Sequence, residues 1–131
     1  MKRIVILIDG GHLRVLAKKI DKSYTPDFIE EFAHQIRAND EEILRVLYYD
    51  CAPFTGRARG PISRELHQFV GSDAWLDILA SRDLFAVRRG VLKFRGWKPK
   101  RAPATVPPTG DDYSPQFMQK GVDLRIGLDV A

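Results

Sequence analysis

The chain has 131 residues, of which 44% are hydrophobic and 29% are charged, and its formal net charge is +4. This length suits one domain (roughly 100–150 residues), and the composition excludes a disordered tail, a collagen-like repeat and a coiled coil. We therefore expect a single domain over residues 1–131. The best candidate for a membrane span, the apolar run at residues 4–8, is far shorter than the roughly 20 residues that cross a bilayer.

The cysteine content and the N-terminus indicate the compartment. Cys51 is the one cysteine of the sequence, which excludes an intramolecular disulfide, a cysteine-rich zinc site and a redox pair. Two basic residues near the start precede no long apolar stretch and no small-residue cleavage site, which argues against a secretory signal. We expect a cytoplasmic protein that makes no membrane contact.

Apolar periodicity and turn residues predict an alternation of strands and helices. In chain order these are a strand over 3–8, a helix over 12–20, a helix from 26 to about 38, a strand over 43–49, a loop over 52–60, helices over 62–70 and 74–81, strands over 84–89 and 91–95 as a hairpin or bent pair, a long proline-rich loop over 99–117, and a helix over 121–131. This order predicts an α/β fold with a mostly parallel sheet. The last predicted helix ends without a glycine, a proline or a polar cap. Because a sheet that buries such a helix normally receives another strand after it, we expect the chain to stop before a further strand.

Positive charge is concentrated in the second half of the chain. Residues 55–101 hold eleven basic and four acidic residues, a local net charge of +7. Aromatic side chains between cations are typical of a surface that binds a phosphate backbone and stacks on bases. A solvated hairpin whose charges only confer solubility is the alternative. The residues that we expect to contact nucleic acid are Arg88, Arg89, Lys93, Arg95, Trp97, Lys98 and Lys100.

Two acidic residues follow directly after predicted core strands, Asp9 after the first and Asp50 after the second. In an open parallel sheet, ligands bind outside the carboxyl ends of the strands, so we expect both carboxylates at that edge. Asp123 falls in the first turn of the last predicted helix. Clustered carboxylates repel one another, and a hard divalent cation relieves this repulsion. Because such an ion can activate water and hold a phosphodiester, the pattern suggests phosphodiester cleavage.

Each of these residues also has a purely structural interpretation. Asp9 can cap the next helix, Asp50 can end its strand, and Asp123 can be an ordinary acid of the first helical turn, where the helix dipole favours negative charge. Asp129 lies six residues after Asp123, about 240° around a helix, so it reaches a shared site only from the flank. His12 more often packs or bonds locally than takes part in catalysis. The sequence lacks the motifs of a dinucleotide oxidoreductase, a P-loop NTPase, a zinc protease and an α/β-hydrolase.

Three segments together point to one family: IVILIDGGHL at the start, VLYYD at the second predicted strand and QKGVDLRIGLDVA at the end. They resemble the NYN domain, and more narrowly its bacterial LabA-like branch within the PIN-like nuclease superfamily. The resemblance covers nearly the whole chain. Its most specific part is the block K-G-V-D-[LV]-x-x-x-x-D.

The resemblance implies a Rossmann-like three-layer α/β/α sandwich with a mostly parallel central sheet, and acids that bind Mg²⁺ or Mn²⁺ and cut RNA. By position, Asp9 matches the metal ligand of the first strand, Asp123 matches the acid that opens the helix, and Asp129 matches a further acid. All three are expected to be catalytic, and Asp9 and Asp123 to bind the metal. His12 stands where family members often carry Asn, so it is expected, with Asp50, only as an accessory residue.

The family continues into another strand with an S-G-D-x-D type motif, so we expect the family's final strand to be missing from this chain. The leading hypothesis is a divalent-metal-dependent endoribonuclease with RNA as its partner. One alternative is a catalytically incomplete NYN domain that binds RNA or a protein, and another is a metal-dependent phosphoesterase acting on small molecules. The sheet edge left by the missing strand also predicts a homodimer.

Overall fold

The computed structural model describes residues 1–100 and 109–131. Its strands are β1 (Lys2–Asp9), β2 (Glu41–Cys51), β3 (Gly56–Arg59), β4 (Leu66–Phe69), β5 (Phe85–Pro99) and β6 (Tyr113–Lys120). Its helices are α1 (Gly10–Lys19), α2 (Pro26–Ile36), α3 (Ala74–Ala80) and α4 (Val122–Val130), and a short 3₁₀ helix covers Gly110–Asp112. These elements confirm a mixed α/β fold.

Four strands form the main sheet in the order β1, β2, β5, β6. The first three run parallel, and β6 pairs antiparallel with β5, so the predicted mostly parallel sheet is confirmed. In this register Asp9 lies opposite Tyr49, and Cys51 lies opposite Gly90.

Each face of the sheet has its own core, because neighbouring residues of a strand face opposite sides. Tyr48 lies on the side covered by α1, α2 and α3, where Ile29 and Leu76 are completely buried. Tyr49 lies on the side covered by α4, where it packs in one cluster with Val122. In the part of the chain that is described, helices thus cover both faces of the sheet.

Capping residues determine where the first two helices begin. Asp9 accepts a hydrogen bond from the backbone N–H of His12 at 3.3 Å and caps α1. Thr25 accepts one from the N–H of Phe28 at 3.1 Å, and Pro26 takes the first position of α2. Both side chains satisfy N–H groups that lack a partner within the helix. The predicted start of α2 is therefore confirmed, whereas α1 begins two residues earlier than predicted.

The segment after β2 contains strands where the sequence predicted a loop and a helix. The predicted loop over residues 52–60 contains β3, and the predicted helix over residues 62–70 is wrong because β4 lies there. The two strands pair antiparallel as a separate sheet. Phe54 and Phe69 pack together, with 5.5 Å between ring centroids, and both contact Phe94 of β5. These tertiary contacts outweigh the local helical spacing.

A single strand replaces the predicted pair around Gly90. The predicted hairpin or bent pair over residues 84–95 is wrong, because β5 passes through Gly90 without a turn. A Cβ atom at Gly90 would lie 2.6 Å from the carbonyl oxygen of Lys120 and 2.8 Å from Cγ2 of Val122. Glycine here permits close packing of β5 against β6 and α4.

The predicted proline-rich loop over residues 99–117 lies partly outside the described residues, which omit 101–108. Its predicted end is wrong, because β6 begins at Tyr113. Pro115 has no N–H to donate, and it lies opposite Trp97, beyond a shift in register. Within the described sheet β6 has β5 as its one neighbour, and proline is tolerated in such an edge strand.

The helices α3 and α4 lie where the sequence predicted helices, over residues 74–81 and 121–131. None of the helices in residues 1–100 and 109–131 has both the length and the apolar character that crossing a membrane requires.

Candidate functional site

Asp9 ends β1 at the edge where the parallel strands have their carboxyl ends. Its Oδ1 atom accepts the backbone N–H of His12, whereas its Oδ2 atom has no hydrogen bond or ion pair with any described residue. The side chain of His12 is exposed, and the contact with Asp9 uses the backbone of His12. Asp9 is half-buried and keeps one carboxylate oxygen available to a ligand.

Asp123 reaches the same edge of the sheet through β6 and α4. Because β6 runs antiparallel to β5, Lys120 lies opposite Val91, next to Gly90, which itself lies opposite Cys51 at the end of β2. The helix α4 therefore begins where the parallel strands end, and Asp123 lies in its first turn. The residue is exposed, and its carboxylate makes no hydrogen bond or ion pair with a described residue.

Asp129, by contrast, has partners for both oxygens. Oδ2 accepts hydrogen bonds from the hydroxyl of Tyr49 at 2.7 Å and from Nε of Arg88 at 3.0 Å, and Oδ1 accepts one from Nη2 of Arg88 at 3.2 Å. The hydrogen bond from Tyr49, together with Arg88, lowers the pKa of Asp129 below its ordinary value. Asp129 thus ties the last turn of α4 to β2 and β5.

Asp50 is a buried carboxylate, 1% exposed, near the end of β2. Its Oδ2 atom accepts the hydroxyl of Tyr48 at 2.8 Å and forms a close ion pair with the guanidinium of Arg14. Its Oδ1 atom accepts the backbone N–H of Cys51 at 2.8 Å. A charge in the interior is stable only when it is paired and hydrogen-bonded, and these three partners meet that requirement.

Two tyrosines extend this network away from Asp50. The hydroxyls of Tyr24 and Tyr48 lie 2.6 Å apart, and Tyr24 also donates to the carbonyl oxygen of Gly10 at 3.2 Å. Burial raises the pKa of Tyr24 to about 12, and it also raises the pKa of Tyr48. Burial lowers the pKa of Arg14, but the charge and hydrogen bond of Asp50 outweigh this effect and raise it. At neutral pH the tyrosines are neutral and Arg14 is charged.

A cavity of about 470 Å³ opens beside this network. The guanidinium carbon of Arg14 lies 5.0 Å from the centroid of the Tyr24 ring and 5.9 Å from that of the Trp75 ring. Both distances lie within the roughly 6 Å over which a cation is attracted to an aromatic face. The side chains that matter for its chemistry are Arg14, Tyr24, Asp50, Trp75, Leu92 and Gln119.

The basic residues of β5 and its end form two groups. Arg88 pairs with Asp129, and Arg89 pairs with Asp73 at 2.6 Å and with Asp77 at 2.5 Å. The cations further along the strand are exposed and form no ion pair with a described residue; they are Lys93, Arg95, Lys98 and Lys100. The second group is therefore the one whose charge is available to a phosphate backbone.

Two of these free cations share one face of the hairpin formed by β5 and β6. Lys93 lies opposite Met118, and Val91 lies opposite Lys120. Opposed residues of an antiparallel pair share a face, and alternate residues of a strand do so as well. Lys93, Arg95 and Lys120 thus form one exposed cationic surface, which we name the ribbon face.

Trp97 packs within an aromatic cluster. Its ring stacks on that of Phe69 at 5.9 Å between centroids and meets Phe94 edge-on at 5.7 Å. Its indole N–H donates to the carbonyl oxygen of Arg59 at 2.7 Å. These contacts join β5 to the β3–β4 sheet, so packing explains the position of Trp97 without a bound base.

The carboxylates differ in their fitness for the Mg²⁺ or Mn²⁺ that the NYN resemblance implies. Among the described residues, no group of three or more His, Cys, Asp or Glu side chains is arranged to hold a metal ion. Asp50 is already paired with Arg14, and Asp129 is already paired with Arg88. Magnesium in proteins takes one or two carboxylates together with waters and substrate phosphates. Of the three predicted catalytic acids, Asp9, Asp123 and Asp129, the first two therefore keep carboxylate oxygens that such an ion could use.

Sequence reasoning missed the residues that surround Asp50. The end of the second predicted strand, Tyr48-Tyr49-Asp50, does signal a buried carboxylate, which needs a cationic partner. Which of the 21 basic residues supplies it is not readable from the sequence, because Arg14 lies 36 residues away. Trp75 carries no local signal beyond its place in a predicted helix.

Compared with protein-family models, with curated proteins and with solved structures, the chain has no match.

Proposed function

We propose that this chain is an NYN domain of the LabA-like, PIN-like type, and that it acts in the cytoplasm as a divalent-metal-dependent endoribonuclease. One observation carries the proposal: Asp9 and Asp123 both lie at the carboxyl edge of the sheet, and neither has a cationic partner among the described residues. The exposed cations lie on β5 and at its end, and β5 pairs with β6, the strand that leads into α4. Helices on both faces of the sheet support the three-layer Rossmann-like sandwich of that family.

In RNA cleavage, separate groups of residues would bind the metal, bind the phosphate backbone and position the helix α4. Asp9 and Asp123 would hold Mg²⁺ or Mn²⁺, which supplies charge stabilisation and an activated water when bound. The ribbon face would hold the phosphate backbone. Arg88 would act through Asp129, by fixing α4 and with it the position of Asp123.

A second candidate function is RNA binding without cleavage. The observation that favours it is the pairing of Asp50 with Arg14 and of Asp129 with Arg88, which leaves two carboxylates where the family pattern predicts more. The same cationic surface would then bind RNA, and affinity would fall steeply with salt.

The deciding experiment is cleavage of an end-labelled single-stranded RNA with Mn²⁺ or Mg²⁺, with and without EDTA. We expect metal-dependent cleavage by the wild type and none by Asp9→Asn or Asp123→Asn, both of which should still bind RNA. The matched control is Asp83→Asn, an exposed acid just before β5 at the opposite edge of the sheet. Full activity of Asp9→Asn would contradict the site assignment, and binding without cleavage by the wild type would establish the second candidate.

The proposal also includes a homodimer through an exposed edge of the sheet, and β1 offers such an edge. Within the described sheet β1 has β2 as its one neighbour, and Val5 on β1 is 46% exposed. An unpaired strand edge is a template for pairing with another chain. Light scattering over a concentration series should show a dimer; a monomer at every concentration would contradict it.

A further inference from the structure

The cavity beside Asp50 has aromatic and apolar walls but no net charge. Tyr24, Trp75 and Leu92 contribute rings and methyl groups to its lining. The two charged lining residues, Arg14 and Asp50, neutralise each other in one ion pair. A phosphate would find no surplus positive charge there, whereas a neutral planar ring would replace water on surfaces that gain from being covered.

Arg14 is held in a geometry suited to stacking. Its guanidinium lies over the rings of Tyr24 and Trp75, and its ion pair with Asp50 fixes its orientation. Its side chain nevertheless remains 44% exposed. Unpaired bases in protein–RNA complexes stack on aromatic rings and on arginine planes. The volume of about 470 Å³ lies in the lower part of the roughly 300–1,000 Å³ range of small-ligand sites, which suits one base rather than several.

The cavity adjoins the carboxylate edge. A Cβ atom at Gly11 would lie 3.6 Å from Oδ1 of Asp9 and 3.5 Å from the side-chain nitrogen of Gln119. Gln119 lines the cavity, so one glycine separates the cavity from Asp9. The amide of Gln119 has both a donor and an acceptor, and a base edge can use either.

We propose that this cavity receives a single nucleobase of the RNA strand whose backbone crosses the edge at Asp9. The inference rests on the proposed function and narrows its substrate class to single-stranded RNA, because a base inside a duplex cannot enter a pocket of the protein without leaving its stack. The ring stacks against Arg14 and Trp75, and Gln119 bonds to the base edge.

The test is titration with adenosine or uridine 5′-monophosphate in EDTA, with ribose 5-phosphate as the control that lacks a base. The sequence has two tryptophans, so Trp97→Phe leaves Trp75 as the fluorescent reporter. We expect saturable quenching by the nucleotides and none by ribose 5-phosphate. Equilibrium dialysis of the wild type measures the same binding without relying on the variant's stability.

Two substitutions locate the binding. Arg14→Lys keeps the charge beside Asp50 but loses the planar face, and it should weaken nucleotide binding about tenfold, in line with the loss of one stacking contact. Arg57→Lys, at an exposed arginine of β3, is the matched control and should leave the affinity unchanged. Gln119→Ala should reduce the difference in affinity between the two nucleotides.

The outcomes separate this inference from the proposed function, because the titration contains no metal. Nucleotide binding in a protein that fails to cut RNA would support the base site and overturn the ribonuclease. Cleavage of RNA without saturable nucleotide binding would overturn the base site. Equal binding of ribose 5-phosphate would also overturn it, by showing a site for the phosphate.

Discussion

Arg88 holds the carboxylate of Asp129 with two hydrogen bonds, from Nε to Oδ2 at 3.0 Å and from Nη2 to Oδ1 at 3.2 Å. The sequence predicted an RNA contact for Arg88 and a catalytic role for Asp129. Their mutual pairing leaves neither charge free in the folded chain. It also links β5 to α4, the helix that carries Asp123, so the pair affects the site through position.

Replacing Asp129 should lower stability in a pH-dependent way. The folded-state pKa of Asp129 lies below its ordinary value, so its contribution is present above the unfolded-state pKa of about 3.9 and is lost as pH falls through the folded-state pKa. We expect Asp129→Asn to melt below the wild type at neutral pH, and the two curves to converge below about pH 4. Thermal melts across this pH range are the measurement.

The matched control for this prediction is Asp123→Asn on the same helix, where the carboxylate has no partner among the described residues. It should change the melting temperature less than Asp129→Asn does. A difference between Asp129→Asn and the wild type that persists unchanged at low pH would contradict the assigned ion pair with Arg88.

Removing the cation beside Asp50 should destabilise the fold. Arg14→Gln leaves a buried carboxylate without its counter-charge, although Tyr48 and the Cys51 N–H still donate to it. We expect the free energy of unfolding to fall by about 2 kcal/mol. This is less than the roughly 3–5 kcal/mol for a fully buried pair, because the Arg14 side chain is 44% exposed.

A double-mutant cycle measured by urea unfolding tests this origin. If the loss comes from the uncompensated charge, Arg14→Gln combined with Asp50→Asn should be more stable than Arg14→Gln alone. Additive losses would instead mean that Arg14 contributes by packing on Tyr24 and Trp75.

RNA affinity should depend on the ribbon face. Replacing both Lys93 and Arg95 by alanine should weaken binding and reduce the slope of log affinity against log salt by about 1.4, from about 0.7 per phosphate contact on a single strand. Replacing Lys18 and Lys19 by alanine removes the same charge from the last turn of α1 and should leave the slope unchanged. Equal changes in both variants would indicate attraction by net charge without a defined surface.

The sequence predicts those elements whose signal is local. The apolar run of β1, the Thr25 cap of α2 and the helical spacing of α4 each lie within a short window, and each predicted element is present. The strands β3, β4 and β6 lack such a signal. They form because four phenylalanines that are distant in sequence pack together, namely Phe54, Phe69, Phe94 and Phe117. The spacing of residues in the sequence does not predict this packing.

In the candidate site, too, the sequence predicts what has a local signal and does not predict what depends on distant residues. The placement of Asp9 and Asp50 after strands is enough to predict that both lie at the carboxyl edge, as the register confirms. The pairing partners are 36 and 41 residues away for Asp50 and Asp129 respectively. Whether an acid is free or neutralised depends on these distant arginines, so the sequence could locate the acids but could not assign their state.

Replacing each of the two adjacent glycines at the start of α1 by alanine should change the free energy of unfolding differently. At Gly10 a Cβ atom would lie 2.6 Å from Cζ of Tyr48 and 2.8 Å from Oδ2 of Asp50, so Gly10→Ala must displace the network and should cost about 1–3 kcal/mol of unfolding free energy. At Gly11 the nearest atoms lie at an ordinary contact distance of 3.5 Å. Gly11→Ala should therefore keep stability unchanged or raise it by up to about 1 kcal/mol, because alanine favours helix over glycine. Urea unfolding of the two variants is the measurement, and equal losses would contradict the close approach of α1 to Tyr48 on β2.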